Sequence, residues 1–349
     1  MQEDKKYTST LELPKIQAHS QIRKLSMPER FVAIELIKSH FKHELTKNLG
    51  LLSVPAPHFI ESGRGFQDDL TGIERPVGFE IPGASKHVEV PHSLAKWKRD
   101  AVSRYKFGPG TGLVVDGAFF RPDEPVLDNT HSVFVDQWDW EKIMLDTQRN
   151  PQFLKKTVSQ IHTAMLHTQE ELVHEFPQLK RQISEDFSFI TAQELEWQYP
   201  DLTPEQREAK YVQTNPFTFI RGIGNKMQSG ESHGTRAPDY DSWVDQLNGD
   251  IVVHNPVLGT ALELSSMGIR VNRDTLLKQC ALRGTESKLQ GEYHQQVLNG
   301  ELDQTIGGGI GQSRLVMQML GATHIGEVQA SVHSPEVIKR AKDAGIELL

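Results

Sequence analysis

The run from Gly307 to Met317, GGGIGQSRLVM, sets a glycine cluster directly before an apolar helix with Arg314 in its first turn. Glycines remove side-chain bulk, and a helix start offers free N–H groups at the positive end of its dipole. A flat ligand can therefore lie close to the backbone under a guanidinium, and an adenine nucleotide fits that description. A glycine turn before a core helix fits the same residues, with Leu315, Met319 and Leu320 as its buried stripe.

Four other places carry residue types suited to chemistry. Arg121, in FFRPDE, ends a strand on a charged loop where a guanidinium can grip a phosphate through two parallel hydrogen bonds; a surface ion pair is the plainer use. In VDQWDWE, strand alternation puts Gln137, Asp139 and Glu141 on one face and Trp138 and Trp140 on the other, as a lined pocket or a solvated face would require. In DIVVHNPVLGTALELSS, symmetric pairing about the turn sets Asp250 opposite Glu263, and facing like charges call for a cation such as Mg²⁺ between them. Two separate exposed carboxylates remain the alternative. In RAPDYD, Arg236, Asp239 and Asp241 suit the carboxylate and ammonium of an amino acid, although surface loops are commonly this polar. GRGFQDDLTG and HSLAKWKR add Asp68 and Asp69, then His92, Lys96, Lys98 and Arg99, which suit a reaction that joins two anions and are also ordinary surface composition.

The elements that must position these residues are legible in outline. Ser26-Met27-Pro28-Glu29 reads as a capping box, and the helix it opens carries Phe31, Ile34, Ile37, Phe41 and Leu45 on one face. LLSVPAPHFI follows as a short strand marked by Pro55 and Pro57 for a sheet edge or subunit contact. GLVVDGAFFR and HSVFVDQWDWE read as an antiparallel pair. Helices start at Asn150-Pro151 and Thr203-Pro204, and DIVVHN and TALELSSMGIRV form a hairpin. Hairpins with helices between and after them favour an α+β fold. GPGTG at Gly108 precedes a strand where a dinucleotide fingerprint would follow one, and RGIGNKMQS lacks the spacing of a phosphate loop. Residues 1–26 read as a polar N-terminal extension and 27–349 as one catalytic domain.

Composition bounds the rest. The 349 residues are 37% hydrophobic and 24% charged, with a net charge of −8 and no run of basic residues, which argues against an extended nucleic-acid surface. No apolar stretch is long enough for a membrane span or signal peptide, so the expectation is a soluble, cytoplasmic protein without a membrane partner. The single cysteine, Cys280, excludes internal disulfides and cysteine-rich zinc sites.

Read in order, LLSVPAPHF after a long helix, the strand-loop-strand from FFRPDE to QWDWE, and GGGIGQSRLVM resemble the three signature motifs of class II aminoacyl-tRNA synthetases. The stretch from about Met27 to His333, including GFQDDLTG, HSLAKWKR, HSVFVDQWDWE, RAPDYD, ELSSMGIR and TIGGGIGQSRL, resembles the aspartate–ammonia ligase family of ammonia-dependent asparagine synthetases. The resemblance implies a class II synthetase-like core of mixed, mostly antiparallel sheet, a homodimer, and an ATP-requiring amide ligase that uses Mg²⁺. L-Aspartate and ammonia become asparagine through a β-aspartyl-AMP intermediate, with AMP and pyrophosphate released. It further implies that Arg121 grips the α-phosphate, Arg314 covers the adenine, and Ser132 and Val133 meet its edge. Asp250 and Glu263 serve ribose, Mg²⁺ or both. Lys98 neutralises the β-carboxylate, and Gln137, Asp139, Arg236, Asp241 and Ser266 form the aspartate site. Ser265 and Arg270 support it, and Asp68 receives ammonium. The tail after about Ser334 lies outside the resemblance.

The nitrogen donor also follows from residue chemistry. A glutamine amidohydrolase part needs a thiol nucleophile, and here the chain begins Met1-Gln2 with its only thiol mid-helix, which favours free ammonia. A tRNA ligase would share the core but need an anticodon-binding module that 26 residues cannot form. A catalytically inert scaffold would have no use for Arg121, Glu263 and Arg314 together.

Overall fold

Glu29 accepts hydrogen bonds from the Ser26 backbone N–H at 2.7 Å and from Ser26 Oγ at 2.6 Å, so the expected capping box opens the first helix. The computed structural model describes residues 20–124 and 127–349. The chain runs α1 (Met27–Leu49), β1 (Leu51–Ser53), β2 (Ile60–Glu61), β3 (Gly78–Ile81), β4 (Lys86–Glu89), α2 (Ala95–Arg104), β5 (Gly112–Phe120) and β6 (Phe134–Ile143). There follow α3 (Pro151–Glu175), β7 (Ser188–Thr191), α4 (Ala192–Gln198), α5 (Pro204–Tyr211), β8 (Phe217–Arg221), β9 (Asn248–Asn255) and β10 (Thr260–Ile269). The last elements are α6 (Arg273–Arg283), α7 (Glu292–Leu298), β11 (Thr305–Gly311), α8 (Gln312–Leu320) and α9 (Pro335–Asp343).

Eight strands form one sheet in the order β1-β5-β6-β11-β10-β9-β8-β7, antiparallel except at its two edges, where β1 joins β5 and β7 joins β8 in parallel. A small sheet, β2-β4-β3, stands apart, and no sequence signal marked it. This is the expected α+β architecture. One face of the large sheet carries Trp138 and Trp140 into a core with Ile37 and Phe41 of α1 and Val158 and Ile161 of α3. The opposite face carries Gln137, Asp139 and Glu141, and α2 covers part of it by packing Ala101 and Val102 against Leu113 and Val115.

Four expectations change. The glycine cluster is not a turn: Gly307 to Gly311 belong to β11, a central strand between β6 and β10. Strand pairing supplies its backbone hydrogen bonds, which a loop would lack. On α1 the buried stripe runs through Ala33, Ile37, Phe41, Leu45 and Leu49, and Phe31 lies off it, 53% exposed. Residues 20–26 are no free extension, since Ile22 and Leu25 are buried and Gln21 Nε2 donates to the Lys180 carbonyl at 2.8 Å. Residues 1–19 lie outside the described part. Finally, Glu263 pairs with Val252 and Asp250 with Ser266: the hairpin turns about one residue later than symmetric pairing assumed, and a register shift between Glu263 and Ser265 moves Asp250's partner one residue further. The symmetric pairing assumed from the turn had no place for a β-bulge.

Candidate active site

Three glycines make room for the site. Gly307, Gly309 and Gly311 stand opposite Glu141, Asp139 and Gln137 in the β11–β6 register, all on the face away from the tryptophan core. A Cβ on Gly307 would collide with Glu141 Oε2, and one on Gly309 with Gln137 Oε1. Long polar side chains of β6 therefore lie across β11 where it carries no side chain, a use of glycine independent of positive φ.

Over this floor opens a cavity of about 330 Å³. Its lining includes Gln137 and Asp139 from β6, Lys98 from α2, and Arg270 just past the end of β10. Asp68 comes from the loop before β3, and Arg236, Tyr240 and Asp241 from the loop before β9. Arg121, Ser132, Glu263, Ser265, Ser266 and Arg314 complete the predicted set that the fold gathers here. Val133 and Asp250 do not line it. The Val133 carbonyl accepts from the Arg121 N–H at 2.8 Å, and Asp250 sits against Arg236 Nη2.

The floor is a web of buried charge. Arg270 donates Nε and Nη2 to Glu141 at 2.7–3.1 Å and Nη1 to Asp241 at 2.5 Å. Burial opposes charge on Glu141, but Arg270 outweighs it and holds that carboxyl below its usual range. At Asp241 burial wins over Arg270 and Arg236, and its carboxyl is pushed up. Lys98 Nζ contacts Asp139 Oδ1 and donates to the Gly308 carbonyl at 3.0 Å, while Asp139 Oδ2 accepts from the Leu94 N–H at 2.8 Å. Burial lowers the Lys98 ammonium despite Asp139, with Arg270 acting in the same direction. The deep end thus has its cations and anions paired, as buried charges require.

The other end holds arginines with open guanidiniums. Arg121 Nη2 donates to the His92 carbonyl at 3.1 Å, and its buried Nε has no hydrogen-bond partner among the described residues. Arg314 Nη1 donates to the Glu263 carbonyl at 3.0 Å, with the Glu263 carboxylate 3.9 Å away. The β10 bulge puts Glu263 and Ser266 on one face, where Ser266 Oγ donates to Glu263 Oε1 at 3.0 Å and accepts from Arg236 Nη2 at 2.9 Å. Arg236 therefore reaches Asp250 directly and the Glu263 carboxylate through Ser266 Oγ. Burial, with Glu263 adding to it against Arg236, pushes Asp250 up to about 8. Despite burial, Arg314 and Arg236 hold Glu263 below its usual range.

Asp68 is fixed from three sides. Its carboxylate accepts from Ser93 Oγ at 2.5 Å and the Leu70 N–H at 2.9 Å, and its carbonyl accepts from His92 Nδ1 at 2.9 Å. Asp239, grouped with Arg236 and Asp241 by sequence, faces away from the cavity and pairs with Lys96 at 2.6 Å. Sequence reasoning gave Glu141 no role, although alternation had already put it beside Gln137 and Asp139. It missed Tyr240, which stands between two singled-out aspartates, and the Gly308 carbonyl, for which no side-chain signal exists.

A largely antiparallel sheet whose central strands carry carboxylates beside a glycine strand, with arginines entering from strand ends, a loop and the following helix, defines a class II synthetase-like fold. The solved structures agree: asparaginyl-tRNA synthetase from Pyrococcus horikoshii, complexed with asparaginyl-adenylate, is similar with a TM-score of 0.64 at 15% identity, over 88% of this chain and 69% of that one. Aspartyl-tRNA synthetase from Entamoeba histolytica is similar with a TM-score of 0.61 at 16% identity, over 88% of this chain and 58% of that one. The sequence is more specific, because the profile of the family described as aspartate-ammonia ligase matches residues 29–345. An aspartate–ammonia ligase of Clostridium perfringens is 47% identical over 326 residues, 93% of this chain and 96% of the relative. One of Ruminiclostridium cellulolyticum is 48% identical over 319 residues, 91% of this chain and 94% of the relative. The chain belongs to the aspartate–ammonia ligase family. The match runs on through α9, into the tail that the sequence resemblance had left out.

Proposed function

We propose that this chain makes L-asparagine from L-aspartate and ammonia with ATP, through β-aspartyl-AMP, releasing AMP and pyrophosphate. Besides family membership, the division of the one cavity carries this reading: paired charges at the glycine floor, and two arginines at the other end without a tight carboxylate partner. The first suits a zwitterionic amino acid, and the second suits a nucleotide.

The difficult step is attack of the β-carboxylate on the α-phosphate, anion on anion. Arg121 takes the α-phosphate, Arg314 lies over the adenine, and Ser132 meets its edge. Lys98 turns from Asp139 to the β-carboxylate, with Gln137, Asp139, Arg236, Asp241 and Ser266 around the rest of aspartate. Arg270 is spent on Glu141 and Asp241, so with Ser265 it serves the frame. Asp68 holds ammonium beside the acyl carbon and accepts its proton. Among the described residues no group of three or more His, Cys, Asp or Glu side chains is placed to cage a metal. Mg²⁺ arriving on the nucleotide needs only one or two carboxylates, and Glu263, partly exposed and below its usual pKa range, fits it better than Asp250 behind Arg236. When bound, the metal neutralises phosphate charge. No helix among the described residues is long and apolar enough to cross a membrane.

Incubation with ATP, ammonium and aspartate labelled in its β-carboxyl oxygens, with tRNA absent, tests this reading. One labelled oxygen should appear in AMP, whereas ADP and inorganic phosphate as products would sink it.

A further inference from the structure

Two lysines of α2 are buried two positions apart, and one of them never reaches the cavity. Residues at i and i+2 lie on nearly opposite sides of a helix. Lys98 enters the floor. Lys96, 2% exposed, turns away and donates to Asp239 Oδ2 at 2.6 Å and to the Gln67 carbonyl at 2.7 Å, with Asp69 Oδ2 at 3.9 Å.

Its partners sit next to the substrate groups in sequence. Gln67 precedes Asp68, and Asp239 precedes Tyr240 and Asp241, so one ammonium joins the two loops that deliver those residues. The first loop has positive φ at Gly63, Gly65, Leu70 and Gly72, a path that no regular element supports. Beyond Lys96, His294 Nε2 holds Asp239 at 2.9 Å and Lys288 holds Asp69 at 2.8 Å, so the tie is anchored on its far side as well. Burial opposes charge on Lys96, yet Asp239 and Asp69 outweigh it and hold the ammonium above its usual range. A buried ion pair is weak evidence of stabilisation, since apolar replacements are often neutral or better. A fixed spacing between two irregular loops is something apolar packing supplies less well.

We propose that Lys96 is a positioning residue for the reaction, whose buried ammonium sets the spacing between the Asp68 loop and the Asp239–Asp241 loop and so preforms the seat of aspartate and ammonia. This rests on the reading of the cavity given above.

Lys96→Met and the double variant Lys96→Met/Asp239→Asn test it, through kcat/KM for aspartate and for ammonium, KM for ATP, and Tm. The single variant should lower kcat/KM for both small substrates about a hundredfold, the scale of a misplacement of about 1 Å. KM for ATP should stay within about twofold. The double variant leaves no unpaired buried carboxylate, so it should regain most of the lost Tm and none of the lost rate. Recovery of rate together with Tm, a near-normal single variant, or an equal loss of ATP affinity would each overturn the proposal. Should the single variant fail to fold, the double decides alone: folded and slow supports positioning, folded and active refutes it. A wild-type chain that made no asparagine would instead defeat the functional reading on which the proposal stands.

Discussion

Arg270 and Glu141 meet side by side through a space that the missing side chain of position 307 leaves open, with Nε and Nη2 donating at 2.7–3.1 Å. The glycine run is therefore a condition for the ion pair under the cavity, and the pair in turn fixes Asp241 through Nη1. A strand with four glycines, three of them on one face, would ordinarily weaken a sheet. Here their absent side chains admit a polar network that no side-chain-bearing strand would leave room for.

Gly307→Ala is accordingly expected to destabilise the fold. The new Cβ would overlap Glu141 Oε2 and stand 2.6 Å from Arg270 Nη2, forcing two buried charges apart. Breaking such a pair costs about 3–5 kcal/mol, and denaturant titration should show a loss in that range. A loss under about 1 kcal/mol would mean that the pair shifts freely.

Arg121→Ala and Arg314→Ala address the nucleotide end. Arg121 holds one backbone carbonyl and Arg314 two, and both keep donors free for a ligand, so each substitution should lower kcat/KM about a hundredfold or more, roughly 3 kcal/mol, with Tm little changed. Steady-state kinetics giving less than a tenfold loss at Arg121 in a folded protein would reduce it to a loop-bracing residue on the His92 carbonyl.

Much of this site was legible because local periodicity carries it. Alternation in VDQWDWE separated the tryptophan core from the polar floor, and Ser26 with Glu29 marked the start of α1. What failed depended on pairing partners that a single segment does not contain. GGGIG reads as a turn until two neighbouring strands claim its backbone, and the β10 bulge cannot be counted from the turn at Pro256. Asp239 looked like a binding residue only because Lys96, far off in sequence, was not yet beside it.

Asp250 offers a test by pH. Its folded value is pushed up to about 8 from an ordinary 3.8, so between those values the folded chain holds a proton that the unfolded chain has lost. Its contribution then falls as pH rises, the reverse of an aspartate whose cationic partner outweighs its burial. Asp250→Asn keeps a partner for Arg236 and removes the titration. Unfolding free energies of wild type minus variant should decline from pH 5 to pH 8; a difference independent of pH would show that Asp250 is ionised throughout.

A two-fold dimer through α1 and β1 is expected from surface that burial does not explain. Phe31 is 53% exposed and Leu52, on an edge strand, 61%. Ile37, which the sequence placed on the same helix face as Phe31, is in the core, so the exposed apolar surface is narrower than that face. Sedimentation should give a dimer at micromolar concentration, and Phe31→Glu with Leu52→Glu should shift it to monomer. A wild-type monomer of 39.4 kDa would contradict the interface.

The last prediction separates the half-reactions at Asp68. Its carboxylate is bound by Ser93 Oγ and the Leu70 N–H, a geometry that an Asn side chain can keep only in part, because its amide nitrogen cannot accept. Only neutral ammonia is nucleophilic, while ammonium is the abundant species at neutral pH, so a carboxylate at this place should bind the cation and take its proton. Asp68→Asn should then leave aspartate-dependent pyrophosphate release intact, as one burst per site, while asparagine formation collapses. Raising the pH should restore part of the second step, because more free ammonia then arrives from solution. Rapid-quench measurement of both products distinguishes the outcomes. A variant that fails to form the adenylate would move Asp68 into the aspartate pocket and leave ammonia without an assigned base.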